Sequence, residues 1–194
     1  MRRLTQLASV AAALLCFAAP ASKLHAEDVK VGDKAPVFSA KDDTGKEWKS
    51  ADHVGKKIVV VYFYPADCTG GCTKQAIGFT KDAKTLADMN VEVVGVSGDS
   101  VSNHQLFKKK ESLGITLLAD EDGKVAEAFG VPFAAGEKSV KVPVNGKEET
   151  LIRGGTAQRW TFIIGKDGKI AHKNDMVKAA DDSANVISVV KTLK

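Results

Sequence analysis

The sequence predicts an α/β fold built on a central sheet with helices over both faces, and three observations carry that prediction. The runs 58–64 and 91–97 are β-branched and aromatic with no polar alternation, as strands buried on both faces must be. Each is followed by a segment of helical spacing. Strand, helix, strand, helix and strand then succeed one another along the middle of the chain, which is the signature of βαβ crossovers. A chain of 194 residues with 44% hydrophobic and 27% charged residues suits one ordinary globular domain, and it excludes disorder, collagen and multi-span membrane folds.

The elements follow in order. Arg2 and Arg3 precede an apolar run, Leu7 to Ala19, that is too short to span a bilayer and is followed by small residues. This predicts a signal peptide over residues 1–26, with cleavage after Ala26 preferred to Ala21, and one domain over 27–194. Pro36 makes Val31 to Pro36 an extended entry, and Asp42 to Lys46 reads as a hairpin turn between two short edge strands. Ile58 to Tyr64 is a buried strand ended by Pro65. Ala76, Phe79, Ala83, Leu86 and Ala87 recur at helical spacing from Cys72 to Met89, with Asn90 as the stop. Val91 to Ser97 is the second buried strand; Ser100 or Ser102 caps a helix reaching Leu113, with Leu106 and Phe107 inward. Leu117-Leu118 is a short strand, Asp120 to Gly123 a turn, and Lys124 to Phe129 a short helix. Val131 to Gln158 is a long surface excursion with a hairpin signal at Asn145-Gly146. Trp160 to Ile164 and Ile170 to His172 form an antiparallel pair, and Ala184 to Leu193 is an amphipathic closing helix.

Lys and Arg outnumber Asp and Glu by 28 to 24, but Arg2, Arg3 and Lys23 belong to the leader, leaving 25 against 24. No basic stripe remains, so nucleic-acid binding is set aside. With Cys16 in the leader, the exported protein carries two cysteines, Cys68 and Cys72. A bridge between residues so near in sequence closes almost no loop, so the interest of the pair lies in reactivity rather than stability. Both lie between a buried parallel strand and the helix that follows, where open α/β sheets bind ligands. Cys72 falls in the first helical turn, beside unpaired N–H groups and the positive end of the helix dipole, which favour a thiolate.

The segment Tyr64-Pro65-Ala66-Asp67-Cys68-Thr69-Gly70-Gly71-Cys72-Thr73-Lys74 contains Pro-x-x-x-Thr-x-x-Cys, which resembles the active-site motif of peroxiredoxins, and the continuation Cys-Thr-Lys-Gln-Ala resembles their bacterioferritin-comigratory (PrxQ) branch. Gly32 to Phe38, Gly95 to Ser100, Leu118 to Ala126 and Arg159 to Ile164 resemble further segments of that family in the same order. The resemblance implies a thioredoxin-like fold, a mixed sheet flanked by helices, and thiol-dependent reduction of hydrogen peroxide and organic hydroperoxides without a cofactor or metal. Carried over residue by residue, Cys72 is the peroxidatic cysteine, Pro65 shields its sulfur, Thr69 orients the peroxide, and Arg159 places positive charge at the sulfur as the O–O bond breaks.

Where the branch often has a resolving cysteine, five residues after the peroxidatic one, this chain has Ile77. Cys68 is left either to resolve Cys72 or to stand by while an external thiol does so. Export implies a thioredoxin-like reductant outside the cytoplasm, in the periplasm or extracellular space, and no membrane attachment after removal of the leader, while the resemblance to the PrxQ branch implies a monomer. The rival reading is an exported copper-binding protein of the SCO type using Cys68 and Cys72, whose Cys-x-x-x-Cys spacing fits; Arg159 stands where that family's histidine would lie. A thiol reductase of the TlpA type would need Trp-Cys-x-x-Cys, which is absent from this loop. His53, His104 and His172 are scattered and suggest no ligand set; Trp48 and Trp160 read as packing residues, Trp160 also as a wall of the site through its neighbour Arg159.

Overall fold

The computed structural model describes residues 29–144 and 146–193, so the leader and its cleavage site lie outside the described residues. Strand β1 (Ser39–Asp42) turns into β2 (Glu47–Lys49), as the hairpin signal predicts. Strand β3 (Ile58–Phe63) is buried at every position. Its side chains alternate between two cores: Ile58, Val60 and Tyr62 enter one, Val59, Val61 and Phe63 the other. Each such side chain contributes roughly 1.5–3 kcal/mol by leaving water.

Helix α1 (Gly70–Asp88) follows, with Cys72, Ala76, Phe79 and Leu86 buried along one stripe, and Asn90 ends it in the left-handed conformation that asparagine tolerates. Strand β4 (Val91–Ser97) leads to α2 (Val101–Glu111), whose cap is Ser100, its hydroxyl accepting from the Asn103 N–H. Phe107 is buried and Leu106 only partly so. Strand β5 (Thr116–Ala119) precedes α3 (Lys124–Ala128), which Asp120 caps by accepting from the N–H groups of Val125 and Ala126.

The excursion is a two-stranded ribbon, β6 (Phe133–Val144) and β7 (Lys147–Ala157), closed at the pair Val144 and Lys147. Strands β8 (Thr161–Ile164) and β9 (Ile170–Asn174) and helix α4 (Asp182–Val190) complete the chain. The main sheet has seven strands in the order β2-β1-β5-β4-β3-β8-β9, parallel only at β3/β4 and β4/β5. One face is covered by α1, α2 and α4; on the other, α3 packs beside Phe38 and Trp48. The result is the mixed sheet with helices on both faces that the sequence predicts.

The parallel pair β3/β4 decides where chemistry can occur. Both strands end at the same edge, and the Tyr64 N–H donates to the Val96 carbonyl, so the loops 64–69 and 98–100 lie side by side. The base of the ribbon closes onto this edge, the Gly154 N–H donating to the Gly98 carbonyl at 2.9 Å. Gly98 is required there because a Cβ would collide with the Gly155 carbonyl oxygen.

Candidate active site

Cys72 is the third residue of α1 and is 1% exposed. Thr69 occupies the N-cap position with extended backbone, and its carbonyl accepts the first intrahelical bond, from the Thr73 N–H at 2.8 Å. The N–H groups of the first turn therefore lack intrahelical partners and gather beside the sulfur with the positive end of the dipole. The Thr69 hydroxyl donates to the Ala66 carbonyl at 3.0 Å, which leaves its oxygen free to accept a hydrogen bond from a bound hydroperoxide. Pro65, half-buried, opens the same loop.

Arg159 arrives from the connector between β7 and β8. Its Nη2 donates to Cys72 Sγ at 3.1 Å, and its Nη1 donates to Gln75 Oε1. Gln75 in turn donates to Asp182 Oδ2 at 2.7 Å, and the same oxygen accepts from the Thr161 hydroxyl at 2.8 Å. Burial pushes the Asp182 carboxyl up, against the hydrogen bonds from Gln75 and Thr161. The guanidinium is thus fixed by a chain of side chains from α1, β8 and α4. At Gly71 an added Cβ would lie 3.4 Å from Arg159 Nη2, which places this residue of the first turn directly against the guanidinium.

Cys68 has a different setting. It sits in the loop with a left-handed backbone, φ 58°, which is uncommon for a residue with a side chain, and packs against the core beneath α1. Burial, reinforced by the Asp67 carboxylate, pushes its thiol up to about 11. Both cysteines are free thiols.

The four residues expected at the site separate accordingly. Cys72 and Arg159 are in direct contact, while Thr69 and Pro65 shape the loop before the helix. Sequence reasoning passed over Gln75, Asp182 and Thr161. Gln75 has a signal, since three residues beyond Cys72 is the same helix face; Asp182 and Thr161 have none. His104 is fully buried and bonded to Asp67, at 2.8 Å from Nδ1 to Oδ2, rather than lying loose on its helix. Trp160 does not wall the site: it packs with Phe162 in the opposite core, with Lys173 Nζ 4.3 Å from its ring centroid.

Residues 31–173 match the AhpC/TSA family. The chain belongs to that family. It is 37% identical over 166 residues to the peroxiredoxin Bcp of Bacillus subtilis, spanning 85% of this chain and 97% of that one. Peroxidoxin BcpB of Mycobacterium tuberculosis superimposes with a TM-score of 0.70 at 28% identity, covering 86% of this chain and 99% of the other. The bacterioferritin comigratory protein of Xanthomonas campestris, described for its alkyl peroxide reduction activity, superimposes with a TM-score of 0.65 at 25% identity over 80% of this chain and 90% of that one. This chain is therefore a peroxiredoxin of the Bcp/PrxQ type, a thiol-dependent peroxidase with the thioredoxin-like fold. The copper-binding alternative finds no support. The relatives are peroxiredoxins, and in this peroxiredoxin a guanidinium stands 3.1 Å from the sulfur a cation would need.

Proposed function

We propose that Cys72 is the peroxidatic cysteine of this peroxiredoxin, acting on hydrogen peroxide and alkyl hydroperoxides, the latter being the substrate class of the Xanthomonas campestris relative. The observation that carries the reading is the Arg159 Nη2 to Cys72 Sγ contact of 3.1 Å in the first turn of a helix. The Cys72 thiolate attacks the terminal peroxide oxygen; an S–O bond forms, the O–O bond breaks, and the departing alkoxide or hydroxide takes a proton to leave as alcohol or water. Arg159 and the N–H groups of the first turn stabilise the negative charge that passes from sulfur to the departing oxygen. The Thr69 hydroxyl oxygen accepts a hydrogen bond from the O–H of the incoming hydroperoxide, whose hydrogen stays on the oxygen transferred to sulfur, and Pro65 narrows the approach.

The sulfenic acid at Cys72 is reduced by an external thiol. One thiol of a thioredoxin-like dithiol displaces water to form a mixed disulfide, and the second releases Cys72. Cys68 stands by: a thiol pushed up to about 11 supplies almost no thiolate at neutral pH to attack Cys72. The basic and apolar leader over residues 1–26 supports export, which puts the reductant outside the cytoplasm, and the likeness to the Bcp/PrxQ relatives supports a monomer as the working unit.

Stopped-flow oxidation by hydrogen peroxide, with mass spectrometry of the product, tests this. Fast oxidation should vanish in Cys72→Ser and persist in Cys68→Ser, and the wild-type product should be a sulfenic acid. A Cys68 to Cys72 disulfide as the first product would overturn the external-thiol route. Export predicts that protein recovered outside the cytoplasm begins at Glu27 or Ser22, and recovery of the uncleaved chain from the cytoplasm alone would reject it.

A further inference from the structure

The loop carrying Cys68 and Thr69 is short and lies outside both flanking elements, so something other than strand or helix pairing must hold it. One of its residues, Asp67, is fully buried and uses both carboxylate oxygens and its backbone N–H. The Tyr64 hydroxyl donates to Oδ1 at 2.7 Å, His104 Nδ1 lies 2.8 Å from Oδ2, and the Asp67 N–H donates to Asp99 Oδ2 at 2.9 Å. His104 and Asp99 are also fully buried. Asp99 is itself fixed: it accepts from the Ser97 hydroxyl at 3.0 Å and from Asn103 Nδ2 at 3.0 Å, with Arg153 Nε of the ribbon 3.9 Å away. Asn103 Nδ2 donates to the Ile152 carbonyl of the ribbon as well, at 2.9 Å. The loop is therefore pinned to the end of β3, to α2, to the β4–α2 turn and, through Asp99 and Asn103, to the base of β7.

Burial alone opposes a charged imidazole at His104, but the carboxylates of Asp67 and Asp99 outweigh it and hold His104 above the ordinary histidine range. Burying this much polarity is costly, and the hydrogen bonds on Asp67 and Asp99 that offset the cost are directional, which makes the arrangement intolerant of small displacements. The hydrogen bonds on Cys72 Sγ and Arg159 run through a separate chain, by way of Gln75 and Asp182.

We propose that Asp67, held by His104 and Asp99, is the positioning residue that fixes the Cys68-Thr69 turn, and with it the seat of the hydroperoxide, against the first turn of α1. This rests on the reading of Cys72 as the peroxidatic cysteine. The cluster acts on where the peroxide sits, not on the nucleophilicity of the sulfur, and misplacement of a reactant by an ångström is enough to cost on the order of a hundredfold in rate. It also gives the ribbon a part in the site: the base of β7 completes the support of a loop that precedes it by more than eighty residues.

The test compares two reactions of the same sulfur in the reduced full chain: oxidation by hydrogen peroxide, which needs the seat, and alkylation by iodoacetamide, which reports the thiolate alone. His104→Leu should lower the peroxide rate on the order of tenfold to a hundredfold while alkylation of Cys72 stays within about threefold. His104→Asn, whose amide nitrogen can replace Nδ1 as donor to Asp67, should recover most of the loss. Tyr64→Phe conserves volume and removes one bond to Asp67, so it keeps the question answerable if His104→Leu does not fold; it should lower the peroxide rate severalfold with alkylation unchanged. Peroxide rates within twofold of wild type in folded His104→Leu or Tyr64→Phe would overturn the proposal, as would oxidation and alkylation falling together. Cys72→Ser, run beside these variants, separates the two levels: persistence of its fast oxidation would remove the assignment of Cys72 itself, whereas its loss with undiminished rates in the cluster variants removes only the positioning role.

Discussion

Cys68 and Cys72 are the same residue type four positions apart, and the fold treats them in opposite ways. Cys72 lies at a helix N-terminus with a guanidinium nitrogen 3.1 Å from its sulfur. Cys68 lies in a left-handed turn next to the Asp67 carboxylate, half-buried, with its thiol pushed up to about 11. One sulfur faces a guanidinium at the start of a helix; the other faces the Asp67 carboxylate, which together with burial pushes the Cys68 thiol up. Reactivity in this loop is thus a property of surroundings. A cysteine count alone would have treated the two as equals.

The sharpest way to break the contrast is to remove the favoured sulfur. Cys72→Ser leaves Cys68 in place, and the peroxide reaction followed by stopped flow should fall on the order of a thousandfold or more, to that of an ordinary thiol. Next comes the partner that distinguishes the two sites: Arg159→Met should reduce the rate constant for peroxide roughly a hundredfold, and Arg159→Lys should restore part of it, a single ammonium being unable to hold both Cys72 and Gln75. One step further from the sulfur, Gln75→Leu leaves Arg159 without its second acceptor and Asp182 with the Thr161 hydroxyl but no longer the Gln75 amide as donor. About a tenfold loss is expected in steady-state peroxidase assays, with a drop in melting temperature reflecting the buried carboxylate left short of a partner.

The smallest effects belong to Cys68. In Cys68→Ser, turnover with a dithiol reductant should change by less than about twofold, the hydroxyl replacing a thiol that supplies no chemistry. Its pH behaviour is the finer test. In the Cys72→Ser background, alkylation of Cys68 should be slow near neutrality and accelerate up to about pH 11. The folded state holds the Cys68 proton more tightly than the unfolded chain does. The corresponding stability is therefore complete below the ordinary cysteine range and disappears as pH rises towards about 11, which urea midpoints of wild type against Cys68→Ser will show.

Large parts of the molecule are legible without coordinates because they depend on local rules. The unbroken apolar run Ile58 to Tyr64 reads as a doubly buried strand, a serine at 100 or 102 reads as a cap and the structure uses Ser100, and the turn signal at 145–146 predicts the hairpin that pairs Val144 with Lys147. Cys72 in the first turn after a buried strand is likewise readable, as is Arg159 once the family resemblance is in view. His104 and Trp160 were not readable in the same way. A lone histidine on a helix carries no mark of the buried aspartate it meets, and Trp160 points away from the site that its neighbour Arg159 enters, because successive side chains of an extended segment face opposite sides.

The sequence by itself determined the α/β class, the order of elements, the helix that begins at the active-site loop and the residue types of the reaction. Periodicity, caps and turn residues act over a few positions, and the family motif is contiguous. Only the tertiary structure decided the contact geometry of the guanidinium at Cys72, how Gln75 and Asp182 hold that guanidinium, and how Asp67 is pinned by His104 and Asp99. Those contacts join residues 32 to 107 positions apart. They depend on the strand order of the sheet and on burial, which strengthens each charge interaction by excluding water, and neither quantity is written in any local stretch of the chain.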